Sequence, residues 1–210
     1  GEEGTFRQLV SRVPSHIATI LAGRLAQIIQ ACGTDRTVVL SSSWRRPQHM
    51  GRTARLEQEL SRHLGKHFTF DARTPIRDDS SPEERLRCLG DYLADFQIPQ
   101  GKRLRALVLE DFFITPLRNW SVGGTRITSS ESVEKYLLHR CRDPGCTAVR
   151  LVHTFAEWYT PRGMPVQVGC GLTLDHYCEA MSFLGAEDGG CKHCKRPNGQ
   201  CSEASGAVDV

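Results

Sequence analysis

The sequence predicts an α/β fold in which a mainly parallel sheet carries helices on both faces. Short, continuous apolar segments alternate with amphipathic helical segments. The two clearest apolar segments, 37–40 and 104–109, both stop abruptly at polar side chains. Uninterrupted apolar strands are typical of parallel sheets that are buried on both faces. A chain of 210 residues is long enough to bury one such core.

Helical spacing and turn residues define the remaining elements. Apolar residues recur every three or four positions from Ile17 to Ile29, between Ser15, which is suited to cap the helix, and Gly33, which is suited to end it. Ser81-Pro82 followed by two glutamates is typical of a helix start. The other predicted elements are a helix over 56–64, a short strand at 68–70, a helix over 131–140, a strand at 148–152 and a helix over 174–184.

The composition of the chain changes after residue 185. Beyond that point Gly, Lys, Cys, Ser and Asn dominate, and little remains that a core could bury. We therefore expect one α/β domain over 1–185 and a tail over 186–210 that is either disordered or zinc-binding.

Charge and cysteine usage restrict the class of protein. A formal charge of +3, from 27 Lys and Arg against 24 Asp and Glu, is too small to indicate a nucleic-acid binder by itself. No apolar segment is long enough to span a membrane, and no signal peptide opens the chain. The nine cysteines are an odd number, and a chain of this length does not need disulfide bonds for stability, so we expect reduced thiols. We expect a cytoplasmic protein without a membrane partner.

Polar side chains follow both of the buried strands. Ser41-Ser42-Ser43 comes after the first strand, and Glu110-Asp111 comes after the later one. Ligands of open parallel sheets bind beyond the carboxyl ends of the strands, so we expect these residues to share one site. Hydroxyls can bind a phosphoryl oxygen, and paired acids can hold Mg²⁺. In the alternative interpretation, the serines cap the next helix and the acids cap the following loop.

The order of these motifs resembles the haloacid dehalogenase (HAD-like) superfamily, and within it the phosphatase-like domain of Swiss Army Knife RNA repair proteins. The resemblance covers 37–184 and is carried by Val38 to Arg45, Thr74-Pro75, Arg85 with an apolar helix face behind it, Leu107 to Asp111, and Gly171-Leu172-Thr173. It implies a three-layer Rossmann-like fold. It also implies Mg²⁺-dependent hydrolysis of phosphate monoesters, with a phosphorylated small molecule, a nucleotide or a nucleic-acid end as the substrate.

The resemblance also implies roles for individual residues. Ser41 or Ser42 would bind the transferring phosphoryl group, and Arg85 would neutralise charge on its oxygens. Glu110 and Asp111 would hold Mg²⁺ directly or through water. In the alternative interpretation, Arg85 is simply a solvated residue on a helix.

The sequence departs from the superfamily at its most important motif. Such enzymes begin with a strand that ends in Asp-x-Asp, whose first aspartate attacks phosphorus and whose second protonates the leaving group. No apolar strand upstream of Thr37 runs into paired aspartates. Either the chain is a fragment whose first strand lies upstream of Gly1, which the lack of an initiating methionine favours, or it is a pseudoenzyme that keeps the fold as a binding or scaffold module. In either case we expect no aspartyl-phosphate on this chain alone.

The tail carries half of a zinc motif. Cys191-Lys192-His193-Cys194 has the C-x₂-C spacing of a zinc knuckle, and Cys201 follows it. Cys141 and Cys146 could complete a four-ligand site if the tail folds back, or His193 could join Cys201 and one distant cysteine. The alternative is a set of unpaired thiols in a tail.

Aromatic and basic residues near the first strand are candidates for substrate contact. Trp44 could stack on a base and Arg45 could grip a phosphate, with further basic residues at Arg46, Arg52, Arg55, Lys102, Arg103 and Arg105. The alternative is that Trp44 packs in the fold and the basic residues form a solvated surface. Residues 114–124 are predicted to form a loop insertion that shapes specificity.

Overall fold

Two pairs of parallel strands and the helices around them organise the chain. The computed structural model describes residues 19–77, 81–111, 114, 120–159, 165–169 and 171–185. Its helices are α1 (Thr19–Ala31), α2 (Met50–Leu64), α3 (Pro82–Asp95), α4 (Ser130–Arg140) and α5 (Leu174–Leu184). Its strands are β1 (Val39–Leu40), β2 (Ala72–Arg73), β3 (Leu104–Glu110), β4 (Trp120–Val122), β5 (Thr125–Ile127), β6 (Thr147–His153), β7 (Phe155–Tyr159) and β8 (Pro165–Gly169). Short 3₁₀ turns lie at Ser43–Arg45, Pro47–His49 and Pro144–Cys146.

The strands pair in four separate ladders within the described residues. β1 lies parallel to β2, and β3 lies parallel to β6 over seven residues, from Leu104 opposite Thr147 to Glu110 opposite His153. β4 with β5 and β7 with β8 form antiparallel hairpins. The chain is therefore a mixed α/β protein with small parallel sheets, as the alternation of strands and helices predicted.

Strand β3 is buried on both of its faces. Val108 packs into a core with Leu86 of α3 and Leu137 of α4. Its neighbours Leu107 and Leu109 pack instead against a second core that is formed by residues of α1, α5 and β6. Because successive side chains of a strand point to opposite faces, a strand with helices on both sides must be apolar throughout. This explains why the segment 104–109 has no polar side chain other than Arg105.

A third core fixes α1 against α2. Ala26 and Ile29 of α1 pack with Leu60 and Leu64 of α2 and with Phe68. Val38 packs against the same cluster, so the core also positions the chain that enters β1.

Helix α3 begins as its sequence predicts. The Ser81 hydroxyl accepts a hydrogen bond from the backbone N–H of Glu84 at 3.2 Å, and Pro82 occupies the first turn. Glutamates at positions 83 and 84 lie beside the positive end of the helix. This start directs Arg85, one residue later, toward the carboxyl end of β3.

The prediction of a strand at 68–70 is wrong. Side chains of α2 form hydrogen bonds with the backbone N–H groups that a strand ladder would need. The Ser61 hydroxyl accepts from the N–H of Phe68 at 2.9 Å, and the Glu57 carboxylate accepts from the N–H of Phe70 at 3.1 Å. The ladder with β1 forms instead at Ala72–Arg73.

The loop predicted over 114–124 is also partly wrong. Trp120–Val122 and Thr125–Ile127 form a hairpin closed by Gly123 and Gly124, which both have positive φ, at 55° and 80°. Two-residue hairpin turns of this handedness require positive φ at both positions. The hairpin buries Trp120 and Ile127 beside α3 and α4.

No helix in the described part of the chain is both long and apolar enough to cross a membrane.

The buried face of α4 provides a test of the main core. Leu137 is fully buried, whereas Lys135 on the same helix is exposed. We expect Leu137→Ala to lower the free energy of unfolding by about 3 kcal/mol through lost burial and the cavity it leaves. Lys135→Ala should change it by less than about 0.5 kcal/mol. Urea unfolding followed by circular dichroism measures both, and equal effects would contradict the packing described here.

Candidate functional site

The carboxyl ends of β1, β2 and β3 open onto one cavity of about 1050 Å³. The polar residues that follow these strands line it, namely Ser41, Ser42, Thr74, Arg85, Glu110 and Asp111. The serines and the acids that follow two separate strands therefore line one cavity, as the sequence predicted.

The two candidate serines differ in what their hydroxyls do. Ser42 caps the 3₁₀ turn that follows, since its hydroxyl accepts from the backbone N–H of Trp44 at 3.3 Å. The Ser41 hydroxyl is buried and has no hydrogen-bond partner among the described residues. A buried hydroxyl without a partner is costly, which makes Ser41 the better placed of the two to bind a ligand.

Thr74 provides a second buried hydroxyl beside Ser41. Its side chain is 2 % exposed, and its hydroxyl also lacks a partner in the part of the chain that the structure describes. Its backbone N–H donates to the carbonyl of Leu40 at 3.2 Å, so the β1–β2 ladder fixes its position. Thr74 was identified from the sequence only as part of the Thr74-Pro75 motif. Its place directly after β2 was not apparent, because the strand was predicted at 68–70 and forms at Ala72–Arg73.

Arg85 joins the two acids at the end of β3. Its Nη2 donates to a carboxylate oxygen of Glu110 and, at 2.5 Å, to Oδ1 of Asp111. Glu110 is 5 % exposed, whereas the side chain of Asp111 is half exposed. The backbone N–H of Asp111 also donates to Glu110 at 3.0 Å. Arg85 is thus not the solvated helix residue of the alternative interpretation.

The two carboxyl groups differ in charge near neutral pH. Burial raises the pKa of Glu110 to about 7, although the positive charge of Arg85 opposes this. Burial also acts to raise the pKa of Asp111, but the hydrogen bond and charge of Arg85 outweigh it and lower that pKa. Asp111 is therefore ionised at neutral pH, while Glu110 is poised between its protonated and ionised forms.

Arg45 is a buried link between the ends of β1 and β2. Its side chain is 2 % exposed. Nη1 donates to the carbonyls of Ser41 at 2.5 Å and Ser42 at 2.9 Å, and Nε and Nη2 donate to the carbonyl of Pro75 at 3.2 and 3.1 Å. These bonds favour a positioning role over the substrate contact that the sequence analysis predicted for Arg45.

Trp44 is half buried, and its carbonyl accepts from the buried Thr53 hydroxyl of α2 at 2.8 Å. This bond ties the 3₁₀ turn after β1 to the start of α2. Thr53 was not identified from the sequence, because a threonine inside a helical segment carries no distinguishing pattern.

The other basic residues do not converge on the acids. Lys102 and Arg105 line the same cavity, but Lys102 precedes β3 and Arg105 lies near its amino end, about 17 Å along the strand from Glu110. Lys102 pairs with Asp35, and Arg105 lies 5.2 Å from the centre of the Phe183 ring. Of the predicted basic residues, only Lys102, Arg103 and Arg105 line the cavity.

Glu110 and Asp111 are chemically suited to Mg²⁺, because that ion prefers carboxylate oxygens and retained water. One oxygen of each carboxylate is engaged by Arg85, so a metal would have to use their other oxygens or share the pair with the guanidinium.

The predicted zinc ligands Cys191, Cys194 and Cys201 lie outside the described residues. Within the described residues no group of three His, Cys, Asp or Glu side chains is arranged to hold a metal. Cys141 is buried, and its thiol donates to the carbonyl of Leu137 at 3.3 Å. Burial raises the pKa of this thiol, which disfavours the thiolate that zinc requires.

Comparison of the chain with protein-family models, with curated proteins and with solved structures found no match. The functional interpretation therefore depends on the geometry of the site and on the order of its motifs.

The role of Arg45 is testable through stability. We expect Arg45→Lys to lower the free energy of unfolding by about 2 kcal/mol or more, because one ammonium group cannot reach the three carbonyls that the guanidinium serves. Arg46 donates to the carbonyl of Arg77 in an exposed hydrogen bond, so Arg46→Lys should cost less than about 0.5 kcal/mol. Urea titrations measure the free energy of unfolding of both variants. Equal losses would show that the buried bonds of Arg45 contribute no more to stability than the exposed bond of Arg46.

The raised pKa of Glu110 predicts a pH dependence of stability in the presence of a chelator. Between its usual pKa of 4.5 and its folded value of about 7, the native state holds a proton that the unfolded chain releases. The free energy of unfolding should therefore fall as pH rises through this window, by roughly 3 kcal/mol from this group.

Glu110→Gln should remove that decline, which urea unfolding at several pH values would detect. Asp111 behaves in the opposite sense: because its pKa is lowered, its contribution is lost as pH falls, and Asp111→Asn should leave the decline above pH 4.5 in place. A wild-type profile that rises from pH 4.5 to 7 would contradict the assignment.

Proposed function

We propose that this chain is the greater part of a HAD-like phosphohydrolase domain with a three-layer Rossmann-like fold, whose intact form hydrolyses phosphate monoesters with Mg²⁺. One observation carries the proposal. Ser41, Arg85, Glu110 and Asp111 line one cavity, and Arg45 links the Ser41 carbonyl to Cys88, which lies one turn after Arg85 on α3. Ser41 and the two acids lie at the carboxyl ends of strands that belong to parallel pairs. This is the part of an open parallel sheet where ligands bind.

Each group of residues in this site has a separate role in binding a phosphoryl group. Ser41 and Thr74 each have a buried hydroxyl free to donate to a phosphoryl oxygen, with no competing partner among the described residues. Arg85 places a guanidinium at the same end of the cavity, where it neutralises negative charge. Mg²⁺ held by Glu110 and Asp111 would supply further charge neutralisation at the phosphoryl oxygens.

Ser41 is a binding group in this proposal and not a nucleophile. A serine attacks phosphorus only when a neighbouring base accepts its proton. No acceptor lies within hydrogen-bonding distance of the Ser41 hydroxyl in the described part of the chain. The resemblance assigns the attack to the first aspartate of Asp-x-Asp, which does not precede β1 in this sequence. We therefore expect the chain as given to bind but not to hydrolyse its substrate.

A non-catalytic binding or scaffold module is the second candidate. It is favoured by the engagement of both acids with Arg85, which compensates part of their negative charge without a metal. In both candidates a phosphorylated small molecule, a nucleotide or a nucleic-acid end is the ligand class that the resemblance implies.

Hydrolysis of p-nitrophenyl phosphate with Mg²⁺ separates the two candidates. The chain as given is compared with a version preceded by an apolar strand that ends in Asp-x-Asp. We expect activity only in the longer version, and Asp111→Asn should lower it at least about 100-fold.

Within the active version, Ser41→Ala should reduce turnover by about 10- to 100-fold, because it removes a donor to the phosphoryl group. Ser43→Ala is the matched control, since Ser43 is exposed and does not line the cavity. Turnover by the 210-residue chain alone would show that a nucleophile lies within it. Silence of both versions, with inorganic phosphate still bound, would establish the binding module.

A further inference from the structure

Three arginines from separate parts of the chain lie around one carboxylate outside the cavity. Nη2 of Arg140, the last residue of α4, donates to Oδ1 of Asp91 on α3 at 3.0 Å. Nη2 of Arg77, which follows β2, lies 2.7 Å from Oδ2 of the same carboxylate. Arg87 lies one turn before Asp91, so these two side chains share a face of α3. We call Arg77, Arg87 and Arg140 the arginine cluster, and none of the three lines the cavity.

The close packing of α3 against α4 depends on Gly90. A Cβ atom at this position would lie 3.1 Å from Cγ of Arg140 and 3.1 Å from the hydroxyl oxygen of Tyr136. Glycine inside a helix is destabilising relative to alanine, so its presence here calls for a packing reason. That reason is the approach of α4, which brings Arg140 to Asp91.

The phenol of Tyr136 lies within the electrostatic influence of all three arginines. Burial raises the pKa of Tyr136, and the charge of Asp91 acts in the same direction, whereas each arginine of the cluster acts to lower it. The three guanidiniums are therefore close enough to act on one hydroxyl, although they come from different segments of the chain.

The positive charge of the arginine cluster is not fully compensated. Asp91 is shared by two arginines of the cluster and Glu84 pairs with the third, so three guanidiniums face two carboxylates. By contrast, Arg85 and Arg150 each contact two carboxylates. The cluster therefore keeps an excess of positive charge.

Most of the N–H donors in the cluster have no acceptor within the described residues. Arg140 donates to Asp91, and Arg87 donates to Glu84. The contact between Arg77 and Asp91 lacks hydrogen-bonding geometry, since Oδ2 is buried and accepts no hydrogen bond from the described residues. The three arginine side chains are between 44 and 48 % exposed, so their remaining donors are accessible to a ligand from solvent.

We propose that the arginine cluster is a binding site for a phosphate dianion, separate from the cavity. The planar guanidinium of arginine donates two parallel hydrogen bonds to phosphate oxygens, which makes arginine well suited to phosphoryl groups. A tetrahedral phosphate also offers acceptors in several directions, as side chains from three segments require, whereas a planar carboxylate does not. Its negative charge supplies what the cluster lacks.

The inference goes beyond the proposed function, because the cluster shares no residue with the proposed catalytic site. The phosphate is either the free ion or the phosphoryl group of a phosphorylated peptide, and both present the same oxygens to the guanidiniums.

NMR titration of the 210-residue chain with inorganic phosphate tests the site. The titration is made at constant ionic strength and above the second pKa of phosphate, and it follows the backbone amides of Gly90, Asp91 and Arg140. Arg77→Gln and Arg140→Gln each remove one guanidinium of the cluster. Arg142→Gln is the matched control, since it removes the same charge from an exposed residue close to Arg140 in the sequence.

We expect phosphate to shift these amides to saturation in the unmodified chain. Each cluster variant should weaken binding by about fivefold or more, because it removes charge-assisted hydrogen bonds. The control should weaken it by less than about twofold, since it removes only a screened charge. Absence of a saturating shift would overturn the proposal. Equal weakening by all three variants would also overturn it, because net charge alone would then explain the binding.

A second titration separates the two sources of the phosphate. Its ligand is a short peptide with one phosphoserine among neutral residues, and the unphosphorylated peptide is the control. Tighter binding of the phosphopeptide than of inorganic phosphate assigns the site to a phosphorylated chain, and equal binding assigns it to the free ion. In both cases Arg140→Gln must weaken the binding, and an undiminished affinity would overturn the proposal.

The same spectra distinguish this site from the proposed catalytic site. Shifts at Gly90 and Asp91 without shifts at Ser41 and Asp111 would support the arginine cluster and reject phosphate binding in the cavity. Shifts at Ser41 and Asp111 alone would reject the arginine cluster and leave the proposed function in place.

Discussion

The double-sided burial of β3 is the constraint on which the rest of the structure depends. α3 and α4 cover one face and α1 and α5 cover the other, so the strand must be apolar along its length. The first acidic residue at its end, Glu110, is consequently drawn into the interior. A buried carboxylate needs a partner or a proton, and Arg85 from the first turns of α3 is the partner within reach. The unusual electrostatics of the site thus follow from the packing of a strand.

The opposite side of the site depends on a different arginine. Arg45 is almost fully buried, and its guanidinium donates hydrogen bonds to three backbone carbonyls. It thereby holds the turn after β1 against the chain after β2, and Ser41 and Thr74, which follow these strands, both line the cavity. Arg45 therefore positions the backbone around the site, whereas Arg85 supplies positive charge to it.

The parts of the fold that were predictable from the sequence are those whose signals are local. The start of α3 at Ser81-Pro82 and the strand that ends at Glu110 were of this kind, since each depends on a few adjacent residues. The failed strand at 68–70 depends on side chains of α2 that compete for its backbone, which no local pattern reveals. Gly123-Gly124 was a local signal for a hairpin that was interpreted as a loop. The candidate site was predictable as two strand ends, but which serine is free, and whether Arg45 is exposed, depend on contacts between distant segments.

In the proposed function, Ser41, Thr74, Arg85 and the two acids form one site for phosphate and a divalent cation. NMR titration of the chain with inorganic phosphate and Mg²⁺ tests this proposal, because it needs no turnover. We expect the backbone amides of Ser41, Thr74 and Asp111 to shift together, and Asp111→Asn to weaken the Mg²⁺-dependent part of the shifts. Shifts confined to Lys102, Arg103 and Arg105, at the other end of the cavity, would contradict it, as would no binding at all.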